Sequence, residues 1–238
     1  MYKCTDGDGN HHQLERVSYF VDLGVGFDCE LSFAEHMNSK ICKANQMLGI
    51  INRAFINMNK DCFLILYKLL VRTHLEYAHS VWSPYRQGLI NDLESVQRRA
   101  TKLVPQSNVK YIQRLKFLEL PTLKFRRLRG DMIEVFKIIT GVYDSSVAPV
   151  LPVVQNSITR GNSLKLRVDR CRYDLREYSF CNRIVNIWNS LPESVVSSDS
   201  VNQFKNRLDD HWANDDLMYD PKYDYKTIQL IELPVIYL

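Results

Sequence analysis

Several groups of side chains in this sequence have the types that chemistry needs. Asp6-Gly7-Asp8-Gly9-Asn10 places oxygens at alternate positions, as a calcium-binding loop does. The match stops there, because His11 stands where the loop needs glycine and Val17 where it needs a bidentate glutamate. The stretch is read as a hairpin turn. Nucleotidyl transfer needs adjacent aspartates on a rigid hairpin, with a third acid nearby, to hold two metal ions. The adjacent pairs here are Asp209-Asp210 and Asp215-Asp216, which flank Trp212 in an acidic, helix-like segment. They lack the apolar strand residues that would hold such a hairpin, and read as a solvated helix end. His74 and His79 are five apart with Glu76 between them, whereas a helical zinc pair needs a spacing of four. His74 falls on an apolar face and reads as a hydrogen-bonded core histidine. The cysteines at 4, 29, 42, 62, 171 and 181 form no Cys-x-x-Cys pair. They are expected as reduced, mostly buried thiols. No catalytic residue, metal ligand or cofactor site is expected, and no small-molecule substrate.

The basic residues remain. Arg98, Arg99 and Lys102 share one side of a helix, opposite a stripe of Leu89, Leu93, Val96, Ala100 and Leu103. Lys124, Arg126, Arg127 and Arg129 crowd one and a half turns further on, with no acid until Asp131. Arginine is the better bidentate phosphate ligand, and it predominates here. These seven side chains are the candidate phosphate-contacting residues. The competing reading is a solvated helix face, with Glu94 pairing to Arg98 across one turn. Net charge is only +4, but it is unevenly placed. Residues 1–36 hold 2 basic and 7 acidic side chains, residues 37–186 hold 25 and 11, and residues 187–238 hold 4 and 9. A basic middle between acidic ends suggests a polyanion partner.

The elements that must position these groups are mostly helical. Residues 2–27 read as strands, with Gly24 and Gly26 marking a bulge or close backbone approach. Ser32 and Glu35 form a capping box for a helix to about Asn57. Asn59 or Asp61 opens a second helix, apolar at Phe63, Leu66, Tyr67, Leu70, Val71, His74, Leu75, Ala78, Val81 and Trp82, and stopped by Pro84. A third helix follows to Pro105. Residues 32–104 are thus expected as an antiparallel bundle held by Leu66, Leu70, Trp82, Leu93, Val96 and Leu103. Further helices are expected at 108–118 and 121–140, a strand at Leu164–Val168, and closing helices at Ser179–Leu191 and Val201–Trp212. The fold class expected is mainly α: short N-terminal strands (1–31), a helical bundle with following helices (32–141), a connecting loop (142–162), a smaller α(+β) subdomain (163–214) and a poorly ordered tail (215–238). The longest apolar runs fall short of the roughly 18 residues that a membrane span needs. No signal peptide is legible, and an intracellular protein is expected.

Particular words in this frame resemble a known family. Asp22-Leu-Gly-Val25, His74-Leu-Glu-Tyr77, Trp82-Ser-Pro-Tyr85 and Leu93-Glu-Ser-Val-Gln-Arg-Arg-Ala100 are among them. Leu128-Arg-Gly-Asp-Met132 and Asn186-Ile-Trp-Asn-Ser-Leu-Pro192, with Phe204-Lys205 and Leu208-Asp209 after it, complete the set. Together they resemble the region after the catalytic palm in reverse transcriptases of non-LTR (jockey-like, LINE-type) retrotransposons. The resemblance runs from about Tyr2 to Asp220. It implies palm-tail strands, a helical thumb and a C-terminal extension, and it implies RNA, RNA–DNA hybrid or duplex DNA as partner through phosphate contacts. The family's catalytic aspartates belong upstream of Asp22, where almost no chain precedes it. A truncated element without polymerase activity is therefore expected. The alternative is a non-catalytic RNA- or protein-binding module that a host has retained.

Overall fold

Apolar residues three and four apart recur along most of the chain, and the computed structural model is mainly helical behind short N-terminal strands. It describes residues 3–5, 7, 9, 11–13, 16–56, 58–104, 109–154, 162–213 and 218–222. Strands β1 (Lys3–Thr5) and β2 (His11–Gln13) pair antiparallel, and so do β3 (Tyr19–Asp22) and β4 (Val25–Asp28), as two separate ribbons. Asp6, Asp8 and Asn10 lie outside the described residues. The second ribbon turns through Leu23 and Gly24, both at positive φ (46° and 78°), the turn hand that matches strand twist. Gly26 answers a space requirement, since a Cβ there would overlap the Tyr19 phenol.

Helix α1 (Ala34–Ala54) does not begin as the capping box predicts. Asp28, at the end of β4, takes the capping role. Its carboxylate accepts from the backbone N–H of Glu30, Ser32 and Phe33 at 3.1, 3.0 and 2.7 Å, and from the Ser32 hydroxyl at 3.2 Å. Ser32 is committed to Asp28, and its oxygen reaches the Ala34 amide only at 3.4 Å. Burial acts to raise the Asp28 carboxyl, but the Ser32 and Phe33 amides and the Ser32 hydroxyl outweigh it and hold it below the usual aspartate range. A carboxyl depressed by folding adds stability above its unfolded pKa and loses it as pH falls through the folded value. Asp28→Ala should therefore lower the melting temperature at pH 7, and the gap to wild type should narrow as the pH falls below about 3.9. Thermal melts from pH 7 to pH 2 test this; a gap that is constant with pH would remove Asp28 from the cap.

The second helix departs from the expected pattern twice. Asn59 caps α2 (Lys60–Leu66), its side chain accepting from the Cys62 amide at 2.8 Å. A π-helical turn at Tyr67–Val71 then inserts before α3 (Arg72–Glu76). The buried side chains are Phe63, Tyr67, Val71 and Leu75, spaced by four throughout. In an α-helix, steps of four overshoot one face by about 40° each. The wider π turn takes up that drift and keeps the row aimed at the core. Leu70, expected in the core, is displaced to a position 42% exposed, and Leu66 is half-buried. The helix also breaks before Pro84. Ala78 turns left-handed at φ 54°, and a separate α4 spans His79–Trp82. The break is held by Trp82, buried completely, whose indole N–H donates to the Tyr77 carbonyl at 2.6 Å.

Helix α5 (Gln87–Ala100) runs on as a 3-10 turn to Leu103 and presents Leu93, Val96 and Ala100 to α1. Helix α6 (Tyr111–Leu118) adds Leu115 and Leu118 to the same core. Helix α7 (Leu123–Ile139) is capped by Thr122, which accepts from the Phe125 amide at 3.2 Å. From Phe125 onward its apolar face belongs to a second core, with Trp188, Leu191, Phe204, Leu208 and Trp212. Phe136 stacks on Phe204 with ring centroids 4.4 Å apart. The bundle side and the C-terminal side thus share this helix.

The C-terminal side is built of short helices: α8 (Asp174–Glu177), α9 (Phe180–Arg183), α10 (Val185–Ser190), α11 (Glu193–Val196) and α12 (Val201–Trp212). The expected helix over Ser179–Leu191 is therefore two helices. The expected strand at Leu164–Val168 is only a β-bridge between Leu166 and Val153. Asn189 satisfies the Leu166 backbone instead, accepting from its N–H and donating to its carbonyl at 2.8 Å each. Of the tail from 215 onward, only 218–222 are described, and there the Met218 carbonyl accepts from the Thr122 amide at 2.9 Å. The five cysteines whose side chains are described are free thiols, and none is fully buried, Cys29 and Cys42 being exposed. That corrects the expectation of buried thiols. Among the described residues no helix is long and apolar enough to cross a membrane.

Candidate nucleic-acid interface

Arg98, Arg99 and Lys102 stand exposed on the last turns of α5 and its 3-10 extension. The helix holds them there because its other side is locked. Leu93, Val96 and Ala100 fill the core, and two polar residues between them are buried as well. Gln97 accepts from the Tyr67 hydroxyl at 2.6 Å and donates to the Pro121 carbonyl at 3.0 Å. Glu94, 2% exposed, accepts from the Tyr111 hydroxyl at 2.6 Å and from the Leu123 amide at 3.1 Å. That amide opens α7, so Glu94 sits at a helix N-terminus where negative charge is favoured. Burial pushes the Glu94 carboxyl up, against the Tyr111 hydroxyl and the Arg127 charge, which pull it down. Glu94 is thus a buried anchor and not the surface partner of Arg98 that the solvated-face reading supposes.

Arg98 turns to an aromatic ring instead. Its guanidinium lies 5.1 Å from the centre of Tyr111, and that of Arg114 lies 5.7 Å from the same ring. Arg114 donates to the Thr101 hydroxyl at 3.1 Å and to the Val109 carbonyl at 2.5 Å. Burial lowers its pKa, and the neighbouring Arg98 adds to that. Arg98, Arg99, Lys102 and the buried Arg114 therefore concentrate positive charge where α5 hands over to α6. Sequence reasoning missed Tyr111 and Arg114. The signal was present in Lys110-Tyr111-Ile-Gln-Arg114, an aromatic residue three before an arginine on a helix.

The four basic residues of α7 are placed differently. Arg127 is buried, 4% exposed. Arg126 forms a two-pronged pair with Glu76, its Nη2 reaching Oε2 at 2.9 Å. Arg129 pairs in the same way with Asp209, its Nη2 reaching Oδ2 at 2.7 Å. Lys124 is half-buried. Arg126 and Arg129 thus tie α7 to α3 on one side and to α12 on the other. The sequence groups seven cations as one surface; the fold leaves three of them exposed on α5.

The other words singled out in the sequence also hold joints of the fold. The Tyr77 hydroxyl donates to the Leu23 carbonyl at 2.8 Å, which fastens the second ribbon to α3. Asp131 accepts from Arg183 Nε and Nη2 at 2.9 and 3.0 Å, and Nη2 also donates to the Ser80 carbonyl at 2.8 Å. Gly130 lies against the His79 ring, where a Cβ would collide. Asn162 donates to the carbonyls of Trp188 and Leu191 at 3.0 Å each. His74 is half-buried, and the histidine in the core is His36. Its Nδ1 accepts from the Gly26 amide at 3.0 Å beside Trp82, and burial, with the charge of Lys40, lowers its pKa to about 4. Among the described residues no three potential metal ligands converge. Asp209, on helix α12, is engaged by Arg129 of α7.

Comparison with known proteins gives little to set beside this geometry. The chain is 28% identical over 130 residues to an uncharacterized protein of Caenorhabditis elegans. The aligned stretch takes in 51% of this chain and 64% of that protein, so less than two thirds of the relative's length is spanned. No family model matches, and no solved structure matches.

Proposed function

We propose that this chain is the thumb and C-terminal part of a non-LTR retrotransposon reverse transcriptase, and that it holds a nucleic-acid duplex by its phosphates without performing polymerisation itself. The observation that carries the reading is the exposed trio Arg98, Arg99 and Lys102, fixed on a helix whose opposite face is locked in the core. A polymerase thumb must let the duplex slide, which calls for sequence-indifferent, salt-sensitive contacts from a rigid element. The Tyr111 ring, within reach of both Arg98 and Arg114, supports the reading, since it orients the Arg98 guanidinium while leaving it exposed. The resemblance in Leu93–Ala100 supports it further, because the arginines of that word are the part that the core does not use.

The test is duplex binding as a function of salt. On B-DNA each phosphate contact contributes about 0.9 to the log–log slope. Replacing Arg98, Arg99 and Lys102 together by Ala should weaken binding to unrelated duplexes about equally and flatten the slope by up to about 3. Unchanged affinity and slope would make this face solvated surface. A loss confined to one sequence would favour a retained, sequence-reading module instead.

A further inference from the structure

The second ribbon leaves one strand edge without a partner. Among the described residues β3 pairs with β4 alone. The Cys29 amide donates to the Ser18 carbonyl at 3.0 Å, which marks Ser18 and Cys29 as a hydrogen-bonded pair of this ladder. Such pairs alternate along antiparallel strands, so Phe20–Phe27 and Asp22–Val25 are hydrogen-bonded as well. The N–H and C=O groups of Tyr19 and Val21 therefore point away from β4, along an open edge. That edge carries no lysine, proline or bulge of the kind that keeps strand edges apart. Its side chains are apolar and uncovered: Val17, Phe20, Val21 and Leu23 are 50%, 51%, 62% and 83% exposed.

The ribbon is anchored on its other side. Val25 and Gly26 of β4 are buried, Phe27 meets the Phe33 ring edge-on at 5.5 Å, and Tyr77 holds the Leu23 carbonyl. A row of outward backbone donors and acceptors flanked by apolar side chains is satisfied by another strand. This edge is complementary to itself. An antiparallel copy centred on Phe20 bonds Tyr19 of each copy to Val21 of the other and uses all of their outward groups. Phe20 then faces Phe20 of the second copy as a non-hydrogen-bonded pair, the kind with the closer side chains. That contact continues the Phe20–Phe27 stack, whose centroids are 5.0 Å apart, across the junction. In the same register Leu23 falls opposite Val17 and Asp22 opposite Ser18, so no like charges meet.

We infer that β3 pairs with β3 of a second copy of this chain about a two-fold axis at Phe20, joining the two ribbons into one four-stranded sheet. The same patch serves both copies, so the association closes at a dimer. The contact is smaller than a standard interface, and the dimer is accordingly weak. The inference stands on the ribbon alone and does not depend on the duplex reading of α5.

The experiment is sedimentation equilibrium of the nuclease-treated full chain from about 1 μM to about 500 μM, the span in which an interface below standard size dissociates. Wild type should pass from monomer to dimer. Val21→Lys should raise the dissociation constant at least about tenfold, as a charge on a strand edge does. Its melting temperature at the lowest concentration should match wild type, because the side chain is exposed. Disulfide trapping reads the register, in a background carrying Cys29→Ser and Cys42→Ser. Phe20→Cys should link two copies under mild oxidation, since that position faces itself across the axis. Val21→Cys should not, because its counterpart lies diagonally, out of disulfide reach. A monomer at every concentration, or association that continues past the dimer, would overturn the inference. So would wild-type dimerisation in folded Val21→Lys, or trapping of Val21→Cys as fast as that of Phe20→Cys.

Discussion

Leu75→Ala should lower the unfolding free energy by about 2–5 kcal/mol, whereas Leu70→Ala should change it by less than about 0.5 kcal/mol. The two leucines lie in one helical stretch of similar composition, and a pattern of three and four places both inside. The difference arises from the π-helical turn at Tyr67–Val71, which rotates the row Phe63, Tyr67, Val71 and Leu75 into the core. Leu75 is fully buried and Leu70 is 42% exposed. Truncating Leu75 removes apolar burial and leaves a cavity between α1 and α3 that rigid neighbours fill only in part. Chemical denaturation of both variants reads the contrast directly. Equal losses in the two variants would mean that the stretch is a regular α-helix with Leu70 inside.

Asp131→Ala should be of the same order, about 3–5 kcal/mol, because it leaves a charge without its counterpart. The Asp131 and Arg183 side chains are 6% and 13% exposed, and the pair is two-pronged. Arg183 also reaches the Ser80 carbonyl, so one guanidinium joins α9 to α7 and to the start of α4. Removing the carboxylate strands that guanidinium among groups that cannot neutralise it. Following Asp131→Ala with Arg183→Leu should recover part of the loss, since an apolar replacement of both partners escapes the desolvation cost. A single variant that unfolds at the wild-type midpoint would show that water reaches the pair.

How much of this was legible depends on how far apart the partners lie in the chain. Leu93, Val96 and Ala100 announce themselves, because the helical period is local and α5 is regular. Asn59 as a cap is equally local. The cap of α1 was misread because its donors turn back to Asp28, a strand residue four positions before Ser32, through a loop with two residues at positive φ. The partners of the α7 cations are hidden for a longer-range reason. Glu76 and Asp209 are 50 and 80 residues from Arg126 and Arg129, so two arginines of a run without local acids are paired by distant ones. Glu94 and Gln97 look like solvent-facing polar residues until α6 and the start of α7 close over them. The groove bordered by Tyr85, Ile138 and Tyr178 draws its lining from positions 31 to 180, a grouping to which no sequence window points.

The sharing of α7 decides where this protein can be divided. A recombinant piece that stops after Ile139 would carry Phe125, Leu128, Met132, Val135 and Phe136 with none of the C-terminal partners that bury them. Such a surface invites self-association. A piece that stops at Leu120 keeps most of the first core but strips Glu94 of the Leu123 amide at its buried end. The helix is therefore a joist let into both rooms, and dissection by expression of halves would measure the damage to it before it measured the properties of either half.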